Sequence, residues 1–216
     1  MARMKIAILV SGRGSNMQAI LDAAAKKDYP AEVAVVISNI KDAPALDRAH
    51  AAGVKTVTVP HSDFADRESF DRRVTEEIKA AGCELVVLAG FMRLLSEEFC
   101  ETWRDRLINI HPSLLPSFKG LDVHERMIAS GVRFGGCTVH YVRFEMDTGP
   151  IIAQAAVPVH PGDDSDKLAA RILEQEHIIY PLAVKWIAEG RVRISGETTR
   201  VTGAKSPDGA LINFQM

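Results

Sequence analysis

The chain has 216 residues, 47% of them hydrophobic and 25% charged, which argues against disorder and leaves room for the substantial core of an α/β domain. Its 26 basic and 28 acidic residues are mixed along the sequence for a net charge of −2, so no broad basic face for nucleic acid is expected. Three cysteines, Cys83, Cys100 and Cys137, without a Cys-x-x-Cys pair, offer no zinc framework and fit reduced thiols in a cytoplasmic protein.

The opening "MARMKIAILVSGRG" combines early positive charges with an apolar run too short for a secretion signal, and "KIAILV" (Lys5 to Val10) reads as a first strand. Further strand-like runs are "VAVVIS" (Val33 to Ser38), "VKTVTV" (Val54 to Val59), "ELVVLA" (Glu84 to Ala89) and "LINI" (Leu107 to Ile110). Segments of helical composition begin between them, near Asn16, Pro44, Arg67 and Glu97. Nearly continuous apolar strands alternating with helices predict a Rossmann-like, mostly parallel sheet covered on both faces. After Gly131, "RFGGCTVHYV" and "GPIIAQAAVPV" are two extended runs joined by "RFEMDT", which predicts an antiparallel pair closing the sheet. A long helix is expected from near Ser165 to about Gly190, and the tail, 191–216, reads as short strands with a Ser-Pro-Asp-Gly turn. The expectation is a single domain over 1–216 with its core at about 4–190, and no run is long enough to cross a bilayer.

Ligands of such sheets bind beyond the carboxyl ends of the strands, so the loops that follow strands carry the chemistry. The first is "SGRGSN", where Gly14, Ser15 and Asn16 at a helix start can cradle a phosphate with backbone N–H groups. A tight turn with a Ser or Asn cap is the other reading. Met17 stands where a dinucleotide fingerprint needs its third glycine, and no Gly-Lys-Ser/Thr follows for a P-loop. In "LAGFMRLLSEEF", Gly90 ends a strand and Ser96 caps the next helix, so backbone groups there can hold a flat heterocycle between Met92, Leu94 and Leu95, unless these only pack the core.

Asn109 and His111, two apart on an extended segment, project to the same side, and Pro112 biases His111 to extended geometry. An amide and an imidazole converging on one oxygen suit acyl transfer, in which a carbonyl becomes an oxyanion; bonding to neighbouring backbone is the alternative. Asp147, before Gly149-Pro150, is either a turn residue or, if its loop folds over the strand ends, the partner of His111, favouring the imidazolium and fixing its orientation. On the long helix Leu168, Ile172, Glu176, Ile179, Ala183 and Trp186 form one stripe, interrupted by a carboxylate that must be a ligand contact or half of an ion pair. His111, His124, His140 and Asp147 show no metal-ligand spacing, and no metal is expected.

Taken in order, "SGRGSN", "LAGFMRLLS", "NIHPSLLP", "DTGP" and "EQEHIIYP" make the chain resemble, from Lys5 to Gly190, the phosphoribosylglycinamide formyltransferase family, folate-dependent enzymes of purine biosynthesis. The resemblance implies transfer of a formyl group from the co-substrate 10-formyltetrahydrofolate to the amino group of 5-phosphoribosylglycinamide. It implies Asn109, His111 and Asp147 as the catalytic trio, Gly14, Ser15 and Asn16 on the ribonucleotide phosphate, and Glu176 on the glycinamide end. Folate would meet Arg67, Met92, Arg93, Leu94 and Leu95, then Asn109 and the loop of Arg143, Phe144, Glu145, Met146 and Asp147. The expected partners are small molecules, with no nucleic acid or membrane and with the chain a monomer or homodimer. Methionyl-tRNA formyltransferase and formyltetrahydrofolate hydrolase share the trio but are expected to carry an additional domain at one end. A non-catalytic phosphate-binding protein on the same scaffold is the rival of another class. Arg13 and the tail after Gly190 receive no role.

Overall fold

Strand β1 (Met4–Val10) sends Ile6, Ile8 and Val10 into one core and Ala7 and Leu9 into another, which is why the strand is apolar at every position from Ile6 on. The computed structural model describes residues 2–205 and 207–212. β1 lies between β2 (Ala31–Ser38) and β4 (Leu85–Leu88) in a seven-stranded sheet of order β3-β2-β1-β4-β5-β6-β7, with β3 at Thr56–Thr58 and β5 at Leu107–His111. These five strands are parallel. β6 (Phe134–Tyr141) runs antiparallel to β5, and β7 (Ile151–Pro158) antiparallel to β6.

The strand order reverses direction between β1 and β4, and an open parallel sheet forms its ligand crevice at such a switch point. The loop after β1 is "SGRGSN" and the loop after β4 is "GFMRLLS", so chain topology alone makes these two segments neighbours. Ser11 N–H donates to the Gly90 carbonyl at 3.1 Å, and Met92 N–H donates to Ser11 Oγ at 2.8 Å.

Helices α1 (Ser15–Ala24), α2 (Pro44–Ala51), α3 (Arg67–Ala80), α4 (Glu97–Thr102) and α6 (Ser165–Ala188) start where composition places them, and α6 ends two residues before Gly190. Helix α5 (Val123–Ser130) is not expected from the sequence: it has eight residues, buries only Val123 and Met127, and opens on Asp122 in the left-handed region, so it carries little periodic signal. The third strand is shorter than the run at Val54 to Val59 because it lies at the sheet edge, with one neighbour only.

Helix α6 lies along one face of the sheet, where the fully buried Tyr180 donates its hydroxyl to the Leu88 carbonyl at 2.7 Å. That bond ties the helix to the end of β4 and fixes the height of Glu176, one turn earlier. In the tail, β8 (Val192–Ser195) and β9 (Thr198–Val201) form an antiparallel hairpin, and Thr199 Oγ1 donates to the Ile151 carbonyl of β7. Ser206 of the Ser-Pro-Asp-Gly turn lies outside the described residues. Among the described residues no helix is long and apolar enough to cross a membrane.

Candidate active site

The end of β5 delivers Asn109 and His111 to one face, and both line a cavity of about 840 Å³ at the carboxyl edge of the sheet. Pairing with β6 sets Asn109 opposite His140 and His111 opposite Thr138. Opposed residues share a face, so His140 joins the site through strand register, which local sequence does not reveal. His140 Nδ1 donates to the Tyr141 carbonyl at 2.9 Å, leaving Nε2 unprotonated, buried and without a hydrogen-bond partner among the described residues. Burial pushes the His140 imidazole down, so a neutral ring with a spare lone pair stands beside Asn109.

His111 Nε2 donates to the Phe118 carbonyl at 2.9 Å, so this nitrogen keeps its proton in either charge state. The other ring nitrogen, Nδ1, lies 3.4 Å from Asp147 Oδ1. The second carboxylate oxygen, Oδ2, accepts the Gly120 N–H at 2.7 Å. The loop 117–122 thus grips both side chains, one through a carbonyl and one through an amide. Three residues of this arrangement carry positive φ without being glycine: Phe118 at 52°, Asp122 at 54° and Asp147 at 51°. Such backbone costs on the order of 1–2 kcal/mol per residue and persists only where surrounding structure enforces it. Gly149 has φ 120°, and a Cβ there would lie 2.1 Å from the Tyr141 carbonyl oxygen, so the loop can close back only over glycine.

The rest of the cavity is lined by Arg67 at the start of α3, by Met92, Arg93, Leu94 and Leu95 after β4, and by Arg143 to Asp147 after β6. Met92, Leu94, Phe144 and Met146 are exposed at its rim, while Leu95 is buried. Glu145 uses its carbonyl to accept from Thr148 Oγ1 at 2.6 Å, which tightens the Asp147 loop. The Arg143 guanidinium turns away, to Asp105 at 2.9 Å and Glu197 of the tail hairpin at 3.2 Å, so it braces the loop from behind. Burial pushes the Cys100 thiol, also at the cavity wall, up to about 11, which removes it as a nucleophile at neutral pH.

At the other end of the crevice Gly14 precedes α1 with φ 72°, and a Cβ there would sit 2.6 Å from the Ala45 Cβ. Both the dihedral and the close approach of α2 demand glycine. Ser15 and Asn16 open the helix, whose first-turn N–H groups have no intrahelical acceptor. Asn16 Nδ2 donates to Glu176 Oε2 at 2.6 Å, so the carboxylate in the apolar stripe has a neutral amide as its hydrogen-bonded partner and not the cation of an ion pair. Asn16 Oδ1 is buried and unpartnered among the described residues. Arg13 is exposed.

Glu176 is 6% exposed, and burial, only partly offset by the Asn16 bond, pushes its pKa up from 4.5. A carboxyl whose folded pKa is raised binds its proton more tightly when folded, so it lowers stability as pH climbs past 4.5. Glu176→Gln is accordingly expected to melt higher than wild type at pH 8 and almost level with it at pH 4. Melting curves at both pH values check this, and a constant gap would contradict it.

A Rossmann-like sheet with these loops at its switch point belongs to a recognised class: a formyl transferase family model matches residues 4–184, and the chain is a member of that family. Within it, the chain is 45% identical over 204 residues to the phosphoribosylglycinamide formyltransferase of Escherichia coli K12, covering 94% of this chain and 96% of that one. It is 40% identical over 203 residues to the trifunctional purine biosynthetic protein adenosine-3 of Homo sapiens, covering 94% of this chain but 20% of that much longer one. Its fold matches the crystal structure of glycinamide ribonucleotide transformylase 1 from Symbiobacterium toebii with a TM-score of 0.90 at 45% identity, over 92% of this chain and 94% of that one.

Proposed function

We propose that the protein transfers the formyl group of 10-formyltetrahydrofolate to the amino group of 5-phosphoribosylglycinamide. The observation that carries this reading is the approach of Asp147 Oδ1 to His111 Nδ1, 3.4 Å apart, beside Asn109 on the wall of a cavity whose volume of about 840 Å³ suits a ligand of folate size. The ribonucleotide phosphate is held by the Ser15 and Asn16 amides past Gly14, with Glu176 and the spare Asn16 oxygen receiving the glycinamide N–H groups. The folate ring lies against the backbone of Met92 to Leu95, and Arg67 faces its carboxylates.

In the reaction the amine lone pair attacks the formyl carbon, and the carbonyl electrons move to oxygen. Asn109 and the protonated Nδ1 of His111 donate to that oxyanion. Asp147 Oδ1 takes the proton leaving the attacking nitrogen; the oxyanion electrons then re-form the carbonyl, the bond from carbon to the folate nitrogen breaks, and that nitrogen receives the proton from Asp147. Charge is balanced throughout, and no covalent enzyme intermediate forms.

Purified protein mixed with both substrates is expected to produce tetrahydrofolate, seen by absorbance, only when the ribonucleotide is present. Binding of the ribonucleotide without any folate product would leave a phosphate-ester-binding scaffold. Folate release without an acceptor would point to a hydrolase.

A further inference from the structure

The four residues Met92 to Leu95 form one side of the cavity and Ser96 follows them, yet two groups outside the cavity lining hold the ends of this five-residue segment. At the first, Ser11 Oγ accepts the Met92 N–H at 2.8 Å and donates to Oδ1 of the buried Asn39 at 2.6 Å. At the last, Oδ2 of Asp71, on α3, accepts the Ser96 N–H at 2.6 Å. Asp71 is 3% exposed, and its other oxygen is buried without a hydrogen-bond partner among the described residues. Helix α4 does not require this carboxylate, because its cap is Ser96 itself, whose Oγ accepts the Phe99 N–H at 3.2 Å. A buried carboxylate costs stability, which points to a role beyond packing.

The neighbours of Asp71 describe that role. Phe70, the preceding residue, stacks on Phe91 with ring centroids 6.3 Å apart and carries the Arg93 guanidinium 5.2 Å above its face. Arg67 and Arg93 supply the positive charge that acts on Asp71. The first turn of α3 is therefore a platform under the loop, with an aromatic ring beneath its middle and a carboxylate at its end.

We propose that Asp71 and Ser11 are positioning residues that set folate affinity, by holding the backbone of Met92 to Leu95 in the arrangement the flat ring of the folate requires. This rests on the folate reading of the cavity. A loop already ordered loses little further freedom when the ligand binds, so its pins act on affinity and not on the chemical step.

The test compares Asp71→Ala, Asp71→Asn and Ser11→Ala with wild type in tetrahydrofolate binding by calorimetry, steady-state kinetics and amide hydrogen exchange. Asp71→Ala should weaken tetrahydrofolate binding at least about tenfold and speed exchange at Met92 to Ser96, with kcat within about threefold and the ribonucleotide KM within about twofold. Asp71→Asn keeps an oxygen for the Ser96 N–H and should recover most of the affinity. Ser11→Ala removes the opposite pin and should also weaken tetrahydrofolate binding, and it decides the matter alone if Asp71→Ala does not fold. A folded Asp71→Ala with wild-type affinity, or with equal loss for both substrates, overturns the proposal. Wild-type protein that binds no tetrahydrofolate overturns the folate reading as well.

Discussion

Asp147→Asn is expected to lower kcat by about 10²–10³-fold while leaving KM for both substrates within roughly threefold. Asparagine is close to isosteric and tolerates the left-handed backbone that Asp147 adopts at φ 51°, so the loop keeps its shape. Its side-chain oxygen can still accept the Gly120 N–H that holds Asp147 Oδ2 at 2.7 Å. What disappears is the negative charge facing His111 Nδ1 and, in the proposed mechanism, the acceptor for the proton of the attacking amine. His111→Ala should match it in size, since it removes one of the two proposed oxyanion donors and leaves the Phe118 carbonyl without its partner. The double variant should lose little more than either single one, because the two groups act as a unit. Near-normal turnover in Asp147→Asn would remove the carboxylate from the mechanism.

Gly14→Ala is expected to raise the ribonucleotide KM at least about tenfold, a loss of about 1.4 kcal/mol, with the folate KM almost unchanged. Two costs combine. An L-residue at φ 72° costs about 1–2 kcal/mol, equivalent to a melting shift of roughly 2–8 °C in a protein of this size. The new methyl would also stand 2.6 Å from the Ala45 Cβ, a distance only a shift of α1 or α2 can relieve. Either shift moves the Ser15 and Asn16 amides. Ala45→Gly added to Gly14→Ala takes away the facing methyl but not the strained dihedral, so it should recover part of the affinity and little of the stability. Full recovery of both would show that the dihedral is unimportant.

Both sites were legible as residue types before any coordinates. "SGRGSN" could be read because its glycines and helix start are adjacent, and Asn109 with His111 because alternation along a strand fixes their common face. Other parts were invisible for a common reason. His140 enters the site only because β6 inserts antiparallel beside β5 in the register that pairs it with Asn109. Glu176 was readable as a buried carboxylate, but its partner Asn16 is 160 residues away. The loop of Arg143 to Asp147 was expected at the folate pocket and does line the cavity, but the bracing of the Arg143 guanidinium against Asp105 and Glu197 was not visible in the sequence. Helix α5 escaped because eight residues with two buried positions leave almost no period to detect.

By itself, the order of residues determined the parallel sheet, the starts of five helices, the glycine that the left-handed turn before α1 calls for, and the pairing of an amide with an imidazole at one strand end. Those properties are local: they follow from the period of a helix or strand and from the dihedrals that each side chain permits. Tertiary structure decided which distant groups meet, namely Asp147 with His111, Asn16 with Glu176, Phe118 with His111, and Gly120 with Asp147. Strand order, register and loop closure set those meetings, and each depends on the packing of the whole chain, which no local pattern encodes.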